Sequence, residues 1–397
     1  MNLLTRLTWT LCLPLSTLFS SVDDPFPKSS RHLASEAYSR RPSQENWLFS
    51  PLSASACLSM VYAGSDQMTA LELKNGLNLM LSPEEAGPNF KSFVQDLLHS
   101  STGERDFNLH IAQGMWSQRG FPFLESFISS MQNDFSAEIE SIDFTPHSVD
   151  RINAWVASQT EQKIQNLLSP LDIDSRTKLV LANALYFKGC WQTPFSPKQT
   201  GIASFTKQNG EIETAFMMRQ ASRFSYYEDE ELQAVLLPFA KSASAEASPA
   251  CLLILSKKPS TPVTLSAQKI DQILGSLSVY TVNLEVPRFT FEQKLDLNSL
   301  LLQLGVRDAF TNLADFSKMD GRADLCLSKV VQKCFFSFDE NGVEAAAATA
   351  AVMNTTTCIT PSPELIASFI ANRPFEIVLV DSNSRTCLMI GHVEDPM

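Results

Sequence analysis

At 397 residues the chain can hold one large core, or two or three small ones at roughly 150 residues per domain. Hydrophobic residues at 44% and charged residues at 19% are globular proportions and exclude a disordered polypeptide. With 31 basic against 43 acidic side chains the formal charge is −12, which excludes a general electrostatic footprint for nucleic acid and any attraction to an anionic membrane.

Residues 1–21 read MNLLTRLTWTLCLPLSTLFSS, with Arg6 before an apolar stretch over 7–19 and small Ser20 and Ser21 after it. That is the order of a secretory signal. Thirteen residues are too few to cross the roughly 30 Å hydrocarbon layer as a helix. The other reading is a buried amphipathic start to the first helix. The expectation is a signal over 1–21, a single domain over 22–397 and a secreted protein.

Residues 28–41 have helical character and end at Pro42. Trp47, Leu48 and Phe49 read as a brief strand, and Ser50-Pro51 opens a helix with Ser at the cap and Pro at the first position. The run ASACLSMVYAG is small and apolar on nearly every side, which predicts a buried helix closed by Gly64. Helical patterns continue over 69–79 and 90–99, a strand over 108–116, and amphipathic helices over 121–135 and 149–168. The character then changes. Residues 179–187, 224–227, 234–239, 251–256, 281–291, 334–338 and 375–381 are β-type runs between turn signals, and 241–250 is a small-residue loop. Helices dominate the first half and strands the second, with no Pro/Gly linker between, so one α+β domain is expected.

Catalytic signatures are missing. No GxSxG, HExxH, GxxxxGK[ST] or GxGxxG occurs, and the five histidines (His32, His99, His110, His147, His392) are isolated in sequence. The acidic run Glu228-Asp229-Glu230-Glu231 reads as a solvated loop rather than a calcium site. Eight scattered cysteines form no CxxC, and losing Cys12 with a signal would leave an odd seven. They read as buried small hydrophobes, Cys358 excepted. Neither an enzyme nor a metal or cofactor site is indicated.

Residues 340–368, ENGVEAAAATAAVMNTTTCITPSPELIAS, are anomalous. Alanine favours helix, yet the run lacks an apolar stripe to hold one against a core. With period two, Val343, Ala345, Ala347, Thr349, Ala351 and Met353 share a face, and the other face begins with Glu344. The first face is small and uncharged, so it could pass between two strands without burying a charge. Taken alone, the segment fits an exposed loop or frayed helix equally well.

With its flanks, this segment resembles the reactive-centre loop and hinge of the serpins. Six other stretches agree in order: NWLFSPLS (46–53), LANALYFKGCWQTPF (181–195), EVPRFTF (285–291), ADFSKM (314–319), NRPF (372–375) and IGHVEDP (390–396). The resemblance covers about residues 30–397. It implies an α+β fold of three β-sheets with eight or nine helices and an exposed bait loop over about 340–368. It also implies a metastable monomer that traps a protease covalently when its cleaved loop enters a sheet, without being an enzyme itself.

The resemblance assigns the hinge to Glu340, Gly342, Val343, Glu344, Ala345, Ala346, Ala347, Ala348 and Thr349, in the small-residue pattern of inhibitory members. Gly342 tolerates a backbone change and β-branched Val343 suits a strand. From Val343 to Thr355 is 13 residues, about 43 Å when extended. Glu340 and Arg288 match an ion pair at the loop's entrance, and Trp191 a tryptophan beside it. Ser50, Ser53 and Asn183 match a polar lock under the sheet, where Gln332 replaces the usual histidine and predicts an altered pH response.

By family spacing the scissile bond is Thr356–Thr357, with Met353–Asn354, Thr357–Cys358 and Cys358–Ile359 as alternatives because the loop is lengthened downstream. No Lys or Arg lies between Glu340 and Arg373, so a trypsin-like target is excluded and an elastase-like or chymotrypsin-like one is implied, a cysteine protease being the further alternative. Asn354-Thr355-Thr356 is a glycan acceptor within the bait. Residues 84–110 offer only Lys91 and Arg105, so no strong heparin binding is expected. The competing expectation is a non-inhibitory carrier, storage protein or chaperone.

Overall fold

The computed structural model describes residues 24–99, 107–240, 249–259, 261–343 and 365–397. The first stretch is largely helical. Helix α1 (Pro25–Ser39) starts with proline at its first turn, strand β1 (Trp47–Phe49) is fully buried, and α2 (Pro51–Ala63) follows at once. The Ser50 side chain caps α2 by accepting from Ser53 N at 3.3 Å. Eleven of the next residues form α3 (Gln67–Leu77), then come α4 (Pro83–His99), β2 (Phe107–Gln118), α5 (Glu125–Phe135), β3 (Glu138–Ile142) and α6 (Pro146–Gln159).

Strands then take over: β4 (Leu179–Cys190), β5 (Gly201–Thr206), β6 (Ile212–Glu228), β7 (Leu232–Pro238) and β8 (Pro249–Ser256). After α7 (Ala267–Gly275) come β9 (Ser278–Pro287), β10 (Phe289–Asp296), α8 (Asn298–Gln303) and α9 (Ser317–Asp320). The chain closes with β11 (Lys329–Phe338), β12 (Gly342–Val343), β13 (Ile366–Ile370), β14 (Phe375–Asp381) and β15 (Thr386–Val393).

Three sheets were expected; the described residues form two hydrogen-bonded networks. One has nine strands in the order β1-β15-β14-β8-β7-β6-β9-β13, with β5 also on β6. The 17-residue β6 is the reason. It pairs with β5 at one end and β7 at the other, so what the family description counts as two sheets is one continuous ladder. The six-stranded sheet runs β10-β11-β12-β4-β2-β3, and β11 also pairs directly with β4. Its inner face joins the main core with α2, while α6 covers its outer face through a second apolar cluster.

Two segments depart from the sequence pattern. The helix expected over 149–168 stops at Gln159, because Glu161, Gln162 and Asn166 take left-handed φ values of 48°, 63° and 52°. The expected strand over 281–291 is two strands, β9 and β10, parted at Arg288 directly after Pro287.

Candidate functional site

The site is the seam between β4 and β11. These strands run parallel and pair directly from Lys329–Val180 up to Cys334–Leu185. Above that level β12 lies between them, antiparallel to both: Val343 stands opposite Phe338 and Gly189, and Gly342 opposite Cys190. Val343 is 1% exposed. A Cβ at Gly342 would lie 2.0 Å from Gly189 O, so only glycine lets the backbone in. The approach is a tight turn in which Asp339 Oδ1 accepts from Asn341 N at 2.7 Å and Gly342 N at 3.2 Å.

Trp191 roofs this entry. Its ring stacks on Phe239 at 4.6 Å and tilts against Phe338 at 4.9 Å, and its Nε1 donates to Asp339 O at 2.9 Å. The expected Glu340–Arg288 ion pair is absent among the described residues. Glu340 is buried and its Oε1 accepts from Thr200 Oγ1 at 2.7 Å. Arg288 instead lies exposed over the Phe216 ring at 4.3 Å, a cation–π contact that keeps its charge in water.

Below the entry, Ser50, Ser53, Asn183 and Gln332 meet in one buried cluster. Asn183 Oδ1 accepts from Ser53 Oγ at 2.6 Å and Gln332 Nε2 at 2.9 Å, while its Nδ2 donates to Ser53 O at 2.9 Å. Gln332 Nε2 also donates to Ser50 O at 2.9 Å, and its Oε1 accepts from Ser50 N at 2.9 Å. Ser50 Oγ reaches Leu388 O on β15 at 2.7 Å. Because Asn183 and Gln332 face each other across the seam, parting β4 from β11 breaks their bond. The residue that sequence reasoning missed is Gln113 of β2. It is 2% exposed and stands opposite Asn183, extending the polar row to a third strand. Its one signal was a glutamine inside the otherwise apolar run IAQGMW (111–116) of β2.

Glu344, Ala345, Ala346, Ala347, Ala348, Thr349, Met353, Asn354, Thr356, Thr357, Cys358 and Ile359 lie outside the described residues, as do residues 1–21. Six described cysteines are free thiols, of which Cys57, Cys251, Cys334 and Cys387 are buried. Burial pushes those four thiols well above their usual range, so they remain protonated and unreactive. Among the described residues no group of three or more His, Cys, Asp or Glu is placed to hold a metal ion. His392, isolated in sequence, is buried between Glu376 at 2.9 Å and Glu394 at 3.4 Å, with Arg41 on Glu376.

An α+β fold built on these two hydrogen-bonded sheets, with the strand pair β4–β11 at the centre of one of them, is the architecture expected of a serpin. The serpin (serine protease inhibitor) family model matches residues 29–396. Leukocyte elastase inhibitor of Bos taurus is 34% identical over 367 residues, 88% of this chain and 93% of that one. Serpin B6 of Macaca fascicularis is 34% identical over 371 residues, 90% and 95% of the two chains. The crystal structure of Serpin48 from Tenebrio molitor has a TM-score of 0.80 at 31% identity and covers 94% of this chain and 98% of its own. The chain belongs to the serpin family, which acts on proteases as inhibitor rather than as catalyst.

Proposed function

We propose that the protein is a suicide inhibitor of an elastase-like or chymotrypsin-like serine protease, trapping the acylated enzyme as its cleaved loop enters the β4–β11 seam. One observation carries the reading: Gly342 and Val343 already occupy the top of that seam as β12. Continuing the same register would bring Thr349 between Asn183 and Gln332, and Val352 between Val180 and Lys329. The intervening Ala345, Ala346, Ala347 and Ala348 are small enough to enter without displacing core side chains. Thr349 would offer a hydroxyl to the polar cluster at the level where the Asn183–Gln332 bond is lost.

The protease supplies the nucleophile and the acid–base chemistry, and this chain supplies strain and speed. The uncharged bait around Thr356–Thr357, with no Lys or Arg from 341 to 372, favours small-residue or apolar specificity. The name of the bovine relative, leukocyte elastase inhibitor, points the same way. Secretion, removal of residues 1–21 and a glycan on Asn354 belong to the same proposal.

Mixing the full chain with elastase-like and chymotrypsin-like enzymes tests it. An SDS-resistant complex and a clipped form much harder to melt than the intact one are expected. Bait cleavage with neither result would overturn the reading in favour of a non-inhibitory carrier. Mass spectrometry of the released fragment identifies the scissile bond.

A further inference from the structure

The connector from α6 to β4, residues 160–178, lies across the outer face of the seam. Its Ile164, Leu167 and Leu168 pack with Val180 and Ala182 of β4 and with Val331 of β11 in one buried cluster. Ala182 and Val331 face each other across the seam, so the connector covers both sides. Polar ties also reach both sides. Toward β4, Glu161 Oε2 accepts from Tyr186 Oη at 3.4 Å. Toward β11, Lys333 Nζ donates to Gln165 O at 2.7 Å.

The strongest tie is Asp172. Its Oδ2 accepts from Lys294 Nζ of β10 at 2.7 Å, and its Oδ1 stands 3.2 Å from Lys329 Nζ, at the first residue of β11. Ser169 N at 2.7 Å and Ser169 Oγ at 2.9 Å fix the same carboxylate. Lys329 is shared with Asp296 at 2.7 Å. Burial alone would raise the Asp172 carboxyl, but Lys294 and Ser169 overrule it and hold it well below the usual range. Only residues 173–178 separate Asp172 from the start of β4, yet its carboxylate grips the opposite side of the seam.

We infer that Asp172 is a positioning residue that times the last stage of strand entry, clamping the connector to β10 and β11 until the seam opens at its lower end. The inference rests on the strand-entry reading above. A strand entering between β4 and β11 moves them apart by one strand spacing, about 4.8 Å. That takes a 3.2 Å ion pair out of range unless Asp172 lets go. In the register of β12, the level of Lys329 is reached by residue 352, after residue 349 has passed the polar cluster, so the clamp opens late, with only the Ser328 bonds to Leu179 and Lys178 below it. Glu161, Gln162 and Asn166, all left-handed and none of them glycine, hold the connector in a costly conformation that favours its release once the clamp is gone.

The test uses the full chain and its Asp172→Asn, Asp172→Glu and Lys318→Met variants, the last removing a remote surface pair with Glu84. Two rates are read: uptake of a labelled peptide with the sequence of residues 343–355, and the partition of attacking protease between trapping and escape. Asp172→Asn should speed uptake roughly threefold and shift partition toward trapping, as loss of one partly exposed ion-pair cluster allows. Wild-type and Asp172→Glu uptake should quicken between about 0.05 and about 0.5 M salt, while Asp172→Asn is insensitive. Lys318→Met should match the wild type. Unchanged or slower uptake in Asp172→Asn, with trapping intact and only a lower melting temperature, would make Asp172 merely structural. Absence of both peptide uptake and trapping in every form would instead remove the strand-entry reading, and the clamp with it.

Discussion

At its upper end the seam between β4 and β11 is already parted by two residues, a glycine pressed on the Gly189 carbonyl and a valine paired with Phe338 and Gly189. A few residues lower the same strands pair directly over a polar cluster in which both nitrogens and oxygens of Gln332 and Asn183 are engaged. The upper end is kept open by small size and apolar packing, which are insensitive to direction and cheap to extend. The lower end is kept shut by hydrogen bonds in low dielectric, which are lost abruptly once geometry fails. A sheet with that gradient opens from the top.

The largest expected effect comes from closing the top. Gly342→Val would drive a side chain into Gly189 O, expel β12 and lower trapping about tenfold or more, the factor that accompanies roughly 1.4 kcal/mol. Trapping at the wild-type ratio, read on gels against a fixed amount of protease, would contradict the open-top description. Weakening the bottom should act oppositely on stability. Gln332→Leu strands Ser50 N in the core and takes one of two donors from Ser50 O and from Asn183 Oδ1, costing about 1–3 kcal/mol. A lower melting temperature with faster peptide uptake is expected, and a fall in melting temperature without faster uptake would show that the cluster is not a lock.

The smallest effect on trapping and peptide uptake is that of pH, whose response is displaced from the seam. No member of the Ser50–Ser53–Asn183–Gln332 cluster carries a titratable group, whereas His392 on β15 is a buried titratable ring. Burial would lower the His392 pKa, but the charge and hydrogen bond of Glu376 and the bond to Glu394 push it up to about 9. A raised pKa stabilises the fold fully below the unfolded value, about 6.5, and that support fades as pH rises through about 9. Chemical denaturation should therefore show stability declining from pH 7 to 9 by up to about 2 kcal/mol, and His392→Gln should flatten the curve. Peptide uptake should stay level between pH 6 and 8.

Much of this was legible in the sequence because a few local signals are unambiguous. Ser50-Pro51 announces a helix start, and the β-type run LVLANALYF lies in a strand whose two faces are both buried along it. The collinear motifs then gave the arrangement that no local signal could. Misreadings came where burial pattern and backbone part company. Ile164, Leu167 and Leu168 continue the period of α6, but they bury against the sheet from an irregular connector, so periodicity alone extended the helix. Strand β13 buries only Phe369 of five residues and left no pattern to read. The Glu340–Arg288 pairing failed because position along a chain does not specify a rotamer, and the Phe216 face offered Arg288 a contact without desolvation.

The unbroken course of β6 has a mechanical consequence. Seventeen extended residues span about 56 Å, with neighbours along both edges. Such a member behaves as a girder, and the nine-stranded sheet cannot yield in one half while the other stays rigid. Compliance must therefore concentrate in the remaining sheet, whose central joint is fastened by only six residue pairs.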